Sequence, residues 1–135
     1  DETELLDVTT WKWAKKASYP FEKRISSART LHYNDNFFTF GGWNDDDRLS
    51  RIASYSPSTT TWSDRGRLLT PRFIAGVIWS QGAFVVVGGD MDGTKSSEKC
   101  MFNLDQIECE HQSPTQPTKT YSITYSKGKY SLLFS

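Results

Sequence analysis

Hydrophobic and polar positions along this chain alternate in short runs that small or polar residues interrupt. Apolar residues at helical spacing are absent from the 135 residues, whereas short apolar runs bounded by Asn, Gly and Pro are typical of strands and turns. Tight hairpins need positive φ, which Asn and Gly supply. Such residues occupy the turn of three segments that read as strand, turn, strand: residues 31–37, 77–84 and 123–130. The pattern predicts an all-β chain.

Two further features recur with one period. Two apolar runs each end in a glycine pair, and the pairs that begin at Gly41 and Gly88 are 47 positions apart. A strand–turn–strand segment from Tyr55 to Trp62 has its counterpart 47 positions later, at residues 102–109. Because the two features are independent of each other, their common period indicates a structural repeat.

Each repeat reads as four strands, which we label a to d. Strand b ends at the glycine pair, strand c carries Tyr or Phe, and strand d carries Trp. A four-stranded unit of about 45–50 residues is a propeller blade. We therefore predict one segment of about three blades over residues 1–135. Its parts are strands c and d of one blade at 5–13, full blades at 25–62 and 73–109, and strands a and b of a last blade at 120–134.

The glycine pair followed by Tyr-x-Pro-x-x-x-x-Trp resembles the kelch repeat, and the resemblance covers nearly the whole chain. It implies a β-propeller whose inner strands surround a central channel, with the glycine pair where a side chain would clash with the neighbouring turn. It also implies that the Trp packs between adjacent blades. The second repeat departs from the pattern, with Phe102 for Tyr and Cys109 for Trp. The motif residues in this chain are Trp13, Gly41, Gly42, Tyr55, Trp62, Gly88, Gly89 and Phe102.

About three blades are fewer than the four to eight that propellers typically contain. An open array exposes the apolar faces of its end blades to solvent and leaves strand edges unpaired. Two interpretations follow. In the first, the chain is part of a longer propeller. In the second, strands a and b of one copy complete strands c and d of the next, a head-to-tail contact that gives a ring or a filament.

Two cysteines flank the last c–d turn. If that turn has two residues, Cys100 and Cys109 stand directly opposite each other, with Cβ atoms about 4.5–5.5 Å apart, close to the 3.5–4.5 Å or so of a disulfide. We expect a disulfide, the alternative being two free, half-buried thiols. A persistent disulfide implies an oxidising compartment, hence an extracellular, secreted protein. The spacing makes a poor zinc site, since His111 is the sole nearby nitrogen ligand, and no metal site is predicted.

Composition gives no catalytic or nucleic-acid signature. Lys plus Arg and Asp plus Glu are 16 each, so nothing attracts nucleic acid or an anionic membrane. No apolar run is long enough to span a membrane. We find no nucleophile elbow, no His-Glu-x-x-His and no phosphate loop, and we predict no cofactor. His32 lies on an apolar strand, where a packed or channel position is the ordinary interpretation.

The loops after the glycine pairs are acidic. Oxygen-rich clusters suit calcium or a basic ligand, although Asn, Asp and Gly are also what such turns need. An indole beside carboxylates would suit a protein or carbohydrate contact, or it could cover the next blade. The possible ligand-loop residues are Trp43, Asp45, Asp46, Asp47, Asp90 and Asp92.

These patterns predict a non-catalytic protein-interaction or structural module, extracellular, which binds a protein partner or another copy of itself through its terminal strands. Carbohydrate is a possible second ligand. Two alternatives stay open. One is a fragment of a galactose-oxidase-like propeller enzyme whose catalytic residues lie outside this chain. The other is an intracellular substrate adaptor, which free thiols would favour.

Overall fold

The structure, a computed structural model, describes residues 2–89 and 97–112, together with the backbone of two short strands near residue 125. The described residues form strands and turns without a helix, so the prediction of an all-β chain is confirmed. In chain order the strands are β1 (Thr3–Asp7), β2 (Lys12–Lys16), β3 (Arg29–Tyr33), β4 (Asn36–Trp43), β5 (Arg48–Ser56), β6 (Thr61–Arg67), β7 (Gly76–Ser80), β8 (Ala83–Val87), β9 (Ser97–Asn103), β10 (Gln106–Gln112), β11 (Tyr125–Ser126) and β12 (Lys129–Tyr130).

The strands group into two full blades and two half-blades. The larger sheet has the order β3-β4-β5-β6-β10-β9-β8-β7, and its two halves meet at a single parallel pair, Ile107 with Gly66. We call β3–β6 blade 1 and β7–β10 blade 2. The β1–β2 and β11–β12 hairpins each form a separate two-stranded sheet; the sequence repeat predicts that the first is strands c and d of a blade and the second strands a and b.

Turn chemistry follows the sequence closely. The β3–β4 turn places Asn34 and Asp35 at φ of 47° and 58°, and the β7–β8 turn places Gln81 and Gly82 at 49° and 78°. These are the positive values that two-residue hairpins require. At the end of strand b, a Cβ on Gly89 would lie 2.5 Å from the carbonyl oxygen of Phe73. The glycine pair thus lets the incoming linker approach the strand, as the resemblance implied.

Blade 1 packs against blade 2 through a continuous apolar layer. Alternate residues of β3 and β4 face alternate residues of β7 and β8, because successive side chains of a strand point to opposite sides. The inner strands are also tied together directly, since Arg29 Nε donates to the carbonyl oxygen of Ala75 at 2.8 Å. The buried residues of this layer are Phe38, Phe40, Ile52, Leu68, Ala75, Val77, Phe84, Val86, Cys100 and Ile107.

The strand bounds differ from the sequence prediction mainly at the outer strands. Strand d of blade 1 continues past Trp62 to Arg67, and that of blade 2 continues past Cys109 to Gln112. The first hairpin is also longer than residues 5–13. Most of the predicted 120–134 segment lies outside the described residues.

The pairing register corrects one assignment. Tyr55 stands opposite Phe37 in blade 1, and the residue opposite the corresponding Phe84 is Cys100. Phe102 is therefore not the counterpart of Tyr55, and it is 40% exposed where Tyr55 is buried. The sequence comparison missed this because the c–d hairpin of blade 2 is longer: 7 positions separate the opposed residues Tyr55 and Trp62, and 9 separate Cys100 and Cys109. A single period of 47 therefore cannot align both of its strands.

Candidate assembly site

Each blade has one side that meets the preceding blade, which we call its leading face. In blade 2 this face is apolar and covered by blade 1. Its inner residues, on strands a and b, are Val77, Trp79, Phe84 and Val86. Trp79 stacks on Tyr33 of blade 1 with ring centroids 3.8 Å apart. The junction between the two full blades is thus closed by aromatic and branched side chains.

The leading face of blade 1 carries different side chains at the same positions. Going back 47 residues from each of the four just named leads to Thr30, His32, Phe37 and Thr39. The pairs Thr30 with Thr39 and His32 with Phe37 are directly opposed across β3 and β4. This face therefore replaces two Val and a Trp with two Thr and a His. His32 is exposed there and contacts Phe37, with ring centroids 5.1 Å apart.

The β1–β2 hairpin covers the outer half of this face. Trp62 Nε1 lies within hydrogen-bond distance of Thr3 Oγ1 at 3.0 Å and of the Ala17 carbonyl oxygen at 3.1 Å. Its ring packs against Tyr55 and Tyr19, with centroids 5.1 and 4.9 Å away. The Trp of blade 1 therefore fastens it to the preceding half-blade.

The inner half of the same face is open among the described residues. A cleft of about 560 Å³ lies between the edge of β1 and strands β3 and β4. In the described part of the chain β1 pairs with β2 alone, so its other edge offers backbone N–H and C=O groups. The cleft is lined by Glu2, Thr3, Glu4, Tyr19, Ile25, Ala28, Thr30, Thr39, Gly41 and Trp62. It lies on the face of blade 1 that corresponds to the face of blade 2 covered by strands a and b of blade 1.

A buried ion pair fastens blade 2 to the linker that enters it. Arg72 and Glu98 have fully buried side chains, with Arg72 Nη2 2.9 Å from Glu98 Oε1. Glu98 also accepts the amide N–H groups of Leu69 and Thr70 at 2.7 and 3.0 Å, and Arg72 Nη1 donates to the Gly88 carbonyl at 2.7 Å. These bonds compensate the desolvation of two charges and fix the linker to strand c.

Blade 1 has apolar residues at the matching positions, Ile25 in the linker and Ala53 on strand c. Its ionic contacts are instead nearer the solvent. Arg51 Nε donates to Glu22 Oε1 at 2.6 Å, and Arg51 also pairs with Asp64. The side chains of Arg51 and Glu22 are 17% and 22% exposed, so solvent screens this contact more than the pair in blade 2.

Two pKa shifts reflect this cluster. Partial burial opposes ionisation of Asp64, but the hydrogen bonds from Arg67 and the Gly66 amide, with the charges of Arg51 and Arg67, outweigh it and hold its pKa below the ordinary value. Burial, with Glu22 beside it, raises the pKa of the Tyr19 hydroxyl well above its usual range. Both groups therefore keep their ordinary charge states at neutral pH.

The structure joins Cys100 and Cys109 in a disulfide across directly opposed positions of β9 and β10. These are the positions that Tyr55 and Trp62 occupy in blade 1, so the bridge stands where an aromatic pair stands. Glu98 lies close to both sulfur atoms, in an arrangement that free thiols could use for a metal. Because the two thiols are bonded to each other and Glu98 is paired with Arg72, the three residues have a structural role.

Several polar groups of the predicted ligand loop of blade 1 form hydrogen bonds and an ion pair within the chain. Asn44 Oδ1 accepts the amides of Asp46 and Asp47 at 3.1 and 2.7 Å, and Asp45 pairs with Arg24. Trp43 is 39% exposed and packs on Phe73, with ring centroids 5.5 Å apart. The loop thus has the turn chemistry given above as the alternative to a ligand site. Asp90 and Asp92 lie outside the described residues.

Trp13 is the most exposed member of the motif set. It lies on β2 opposite Leu6 and is 66% exposed, and its neighbour Trp11 is 75% exposed. Among the residues that the structure describes, no helix has the length and apolar character needed to cross a membrane.

Sequence reasoning missed the Arg72–Glu98 pair and the unlike leading faces. A signal for the first was present, because Glu98 has the same strand phase as the buried Cys100. A charged residue on the buried phase is a sign of a paired partner. The unlike leading faces could not be predicted without the strand register, because only the pairing of β3 with β4 shows that Thr30 and Thr39 share a face.

Similar proteins place these observations in a family. No family model matches the chain. Kelch-like protein 41b of Danio rerio is 23% identical over 135 residues, which is 98% of this chain and 22% of that protein. Beta-scruin of Limulus polyphemus is 30% identical over 103 residues, 73% of this chain and 10% of that protein. Kelch-like protein 25 of Xenopus tropicalis is 30% identical over 98 residues, 71% of this chain and 16% of that protein.

The chain therefore spans 22% or less of these three relatives. Among solved structures, the one titled "Structure of YjhT" superposes with a TM-score of 0.70 at 16% identity, over 85% of this chain and 44% of that chain. At that identity the likeness concerns the fold. The repeat period, the glycine pairs, the four-stranded blades and these similarities agree: the chain belongs to the kelch-repeat family and is built from β-propeller blades.

Proposed function

We propose that this chain is a non-catalytic protein-interaction module that binds its partner by strand addition. The observation that carries the proposal is the β1–β2 half-blade, which has a free edge beside an open cleft on the leading face of blade 1. An extended segment adding to a sheet edge gains main-chain hydrogen bonds, while pockets for alternate side chains give specificity. A pair of strands a and b would complete a four-stranded blade there.

The chain contains such a pair. It is the β11–β12 hairpin, which the repeat pattern assigns to strands a and b, so one copy offers a strand pair of this kind to the β1–β2 edge of another. The contact is head-to-tail and gives a closed ring if the rotation permits and a filament if it does not. Completion by further strands of a longer propeller would use the same edge and cleft.

We further propose that the module works outside the cell. The support is the Cys100–Cys109 bridge, since disulfides persist in oxidising compartments. Peptide mass mapping without reduction is expected to find the bridged peptide. Two free thiols in protein purified from its native source would contradict this localisation and favour the intracellular adaptor instead.

Light scattering over a dilution series tests the assembly. We expect a mass above that of the 15.4 kDa chain that falls towards the monomer on dilution. Leu5→Lys, which places a charge on β1, should shift the equilibrium to the monomer, and Asp35→Asn in the distant β3–β4 turn should not. A well-folded monomer at every concentration would contradict completion by a second copy.

A further inference from the structure

Four residues with metal-ligating side chains lie together on the leading face of blade 2. The register places Cys100 directly opposite Cys109, and Glu98 directly opposite His111. Because side chains two positions apart on a strand point to the same side, the two cross-strand pairs form adjacent rows on one face. Ligand atoms of Glu98, Cys100 and Cys109 lie within 4.8 Å of one another. The His111 ring is in the next row to Cys109, on the same strand and the same side.

The matching rows of blade 1 are Tyr55 with Trp62 and Ala53 with Asp64. Of these four side chains, only the Asp64 carboxylate is a common metal ligand, and it already pairs with Arg51. A disulfide needs two cysteines and nothing else, whereas blade 2 also has a histidine and a carboxylate in the adjacent row. The group in blade 2 therefore points to a use beyond the bridge.

Two thiolates, an imidazole and a carboxylate form a ligand set that suits Zn²⁺. Zinc prefers four ligands in a tetrahedron and binds Cys sulfur at about 2.3 Å and His nitrogen at about 2.0–2.1 Å. Two sulfur atoms on one such ion are about 3.8 Å apart, which is within the 4.8 Å that the three ligand atoms span. Among the described residues, Glu98 Oε2 accepts only the Leu69 amide N–H, at 2.7 Å, so a lone pair of that oxygen remains for the ion.

The charge and the exposure of the group also fit a bound cation. Two thiolates neutralise a divalent ion, so the metal would leave the buried Arg72–Glu98 pair in charge balance. Cys100 is buried, Cys109 is half-buried and His111 is exposed, so the ion would reach the sulfur atoms from the solvent along β10. Within the described part of the chain, no hydrogen bond or ion pair holds the His111 ring.

We infer that reduction turns the bridge between the two cysteines into a zinc site, with His111 and Glu98 as the further ligands. A dithiol reductant supplies two electrons and two protons to the S–S bond and is itself oxidised to a disulfide. The two thiols then release their protons as the ion binds, because thiolates are the ligands. Strands c and d of blade 2 are thus joined by a covalent bond in an oxidising medium and by a metal ion in a reducing one. The site forms whether or not the chain assembles.

Cobalt binding to the reduced full chain tests the site. The protein is reduced with a phosphine, which takes an oxygen atom from water as the S–S bond breaks, and Co²⁺ is then added under nitrogen as the spectroscopic probe. We expect one equivalent to bind, with the visible bands of tetrahedral cobalt and a thiolate-to-metal charge-transfer band, and Zn²⁺ to displace it. The oxidised chain should give neither feature.

Two outcomes of this experiment would overturn the inference. One is a reduced chain without the charge-transfer band, and the other is equally tight binding by the oxidised chain. Zn²⁺ should also raise the melting temperature of the reduced chain, since a ligand that binds only the folded state stabilises it. A reduced chain that is unfolded by circular dichroism and stays unfolded with Zn²⁺ would contradict the site as well.

Two substitutions at neighbouring positions of β10 test the histidine ligand. His111→Gln should raise the dissociation constant for Co²⁺ at least about tenfold, because even the loss of an outer-shell partner costs about 10–100-fold. Glu110→Gln is the matched control. Glu110 points to the other side of the strand, where it accepts a hydrogen bond from Gln112 at 3.1 Å, so its replacement should leave the constant unchanged. Equal effects of the two substitutions would overturn His111 as a ligand.

The carboxylate ligand is tested by Arg72→Ile with Glu98→Ala, which removes both buried charges together. We expect this double variant, reduced and shown to be folded by circular dichroism, to keep the thiolate-to-cobalt band. Its dissociation constant for Co²⁺ should rise about tenfold or more, because water then replaces a protein ligand. An unchanged constant would show that Glu98 is not the fourth ligand.

Discussion

Blade 1 and blade 2 have the same order of four antiparallel strands but opposite kinds of leading face. That of blade 2 is apolar, buried under blade 1 and held by a buried ion pair and a disulfide. That of blade 1 is polar in its inner half, and its contacts to the half-blade are an indole hydrogen-bond pair and an ion pair nearer the solvent. The first is suited to a permanent junction, and the second is the one at which the proposed function places a partner.

The two blades also stabilise the same pair of strands by different side-chain contacts. Tyr55 and Trp62 hold strands c and d of blade 1 by aromatic packing, and Cys100 and Cys109 hold the same strands of blade 2 by a covalent bond. Likewise, Ile25 and Ala53 of blade 1 and its linker occupy the positions of Arg72 and Glu98 in blade 2 and its linker. Such exchanges keep the strand positions while they alter what reduction, acid or salt would do to each blade.

The largest difference between the blades should appear when the buried ion pair is broken. Glu98→Gln leaves Arg72 buried without its counter-charge, and we expect the free energy of unfolding to fall by about 3–5 kcal/mol. Glu22→Gln, the matched change in blade 1, should cost no more than about 1 kcal/mol because its pair is solvent-screened. Urea unfolding followed by fluorescence measures both. Equal losses would remove this distinction between the junctions.

Replacing the buried ion pair of blade 2 with the corresponding apolar residues of blade 1 tests whether its two members act together. Arg72→Ile with Glu98→Ala removes both charges together, so the double variant should lose less stability than the sum of the two single variants. It should not reach the wild-type value, because the amides of Leu69 and Thr70 lose their acceptor. Additive losses in a double-mutant cycle would show that the two residues act separately.

Removing the disulfide should have the next largest effect. Cys100→Ser with Cys109→Ser frees a short loop, and we expect the free energy of unfolding to fall by about 2–3 kcal/mol. Thermal unfolding with and without a reductant checks this, since a reductant should lower the melting temperature of the wild type and leave the double variant unchanged. A wild type that is insensitive to reduction would contradict a stabilising bridge.

Weakening the contact between blade 1 and the β1–β2 hairpin should lower the free energy of unfolding less than removing the disulfide does. Trp62→Phe keeps an aromatic ring beside Tyr55 but removes the Nε1 donor to Thr3 and Ala17, and we expect a loss of about 1–2 kcal/mol. Hydrogen exchange should show the loss as faster opening of β1 and β2, with β7–β10 unaffected. Faster exchange spread evenly over both blades would mean that the hairpin is not held independently.

Acid should weaken the ionic contacts of Asp64 in blade 1. The pKa of Asp64 is below its ordinary value of 3.8, so its ionic contacts contribute stability above that pH and lose it as the pH falls through the depressed pKa. We expect the wild type to lose this contribution as the pH falls below 3.8 and through the lowered pKa of Asp64. Asp64→Asn should flatten that part of the profile, and Asp35→Asn should not. Identical profiles for wild type and Asp64→Asn would rule out this contribution.

Much of the architecture follows from the sequence because strand alternation and turn chemistry are local. The positive φ of Asn34 and Gly82 and the close approach at Gly89 are each required by residues that the sequence shows directly. The mistaken pairing of Phe102 with Tyr55 has a physical cause, since two more residues in the c–d hairpin of blade 2 shift strand c against strand d. The fixed period between blades conceals such a change.

The site was harder to predict because it depends on which side chains share a face. The sequence indicates hairpins near both ends of the chain, but Thr30, His32 and Thr39 look like ordinary strand residues until the register places them together. The Arg72–Glu98 contact joins a linker to a strand 26 residues away. No local pattern specifies such a pair.

Hydrogen–deuterium exchange of the full chain over a dilution series measures the contrast between the two leading faces most directly. If a second copy occupies the cleft of blade 1, amides of β1, β3 and β4 should be protected at high concentration and exchange faster on dilution. Those of β7 and β8 should exchange slowly at every concentration. Protection of β1, β3 and β4 that does not change with concentration would contradict an exchangeable junction at blade 1.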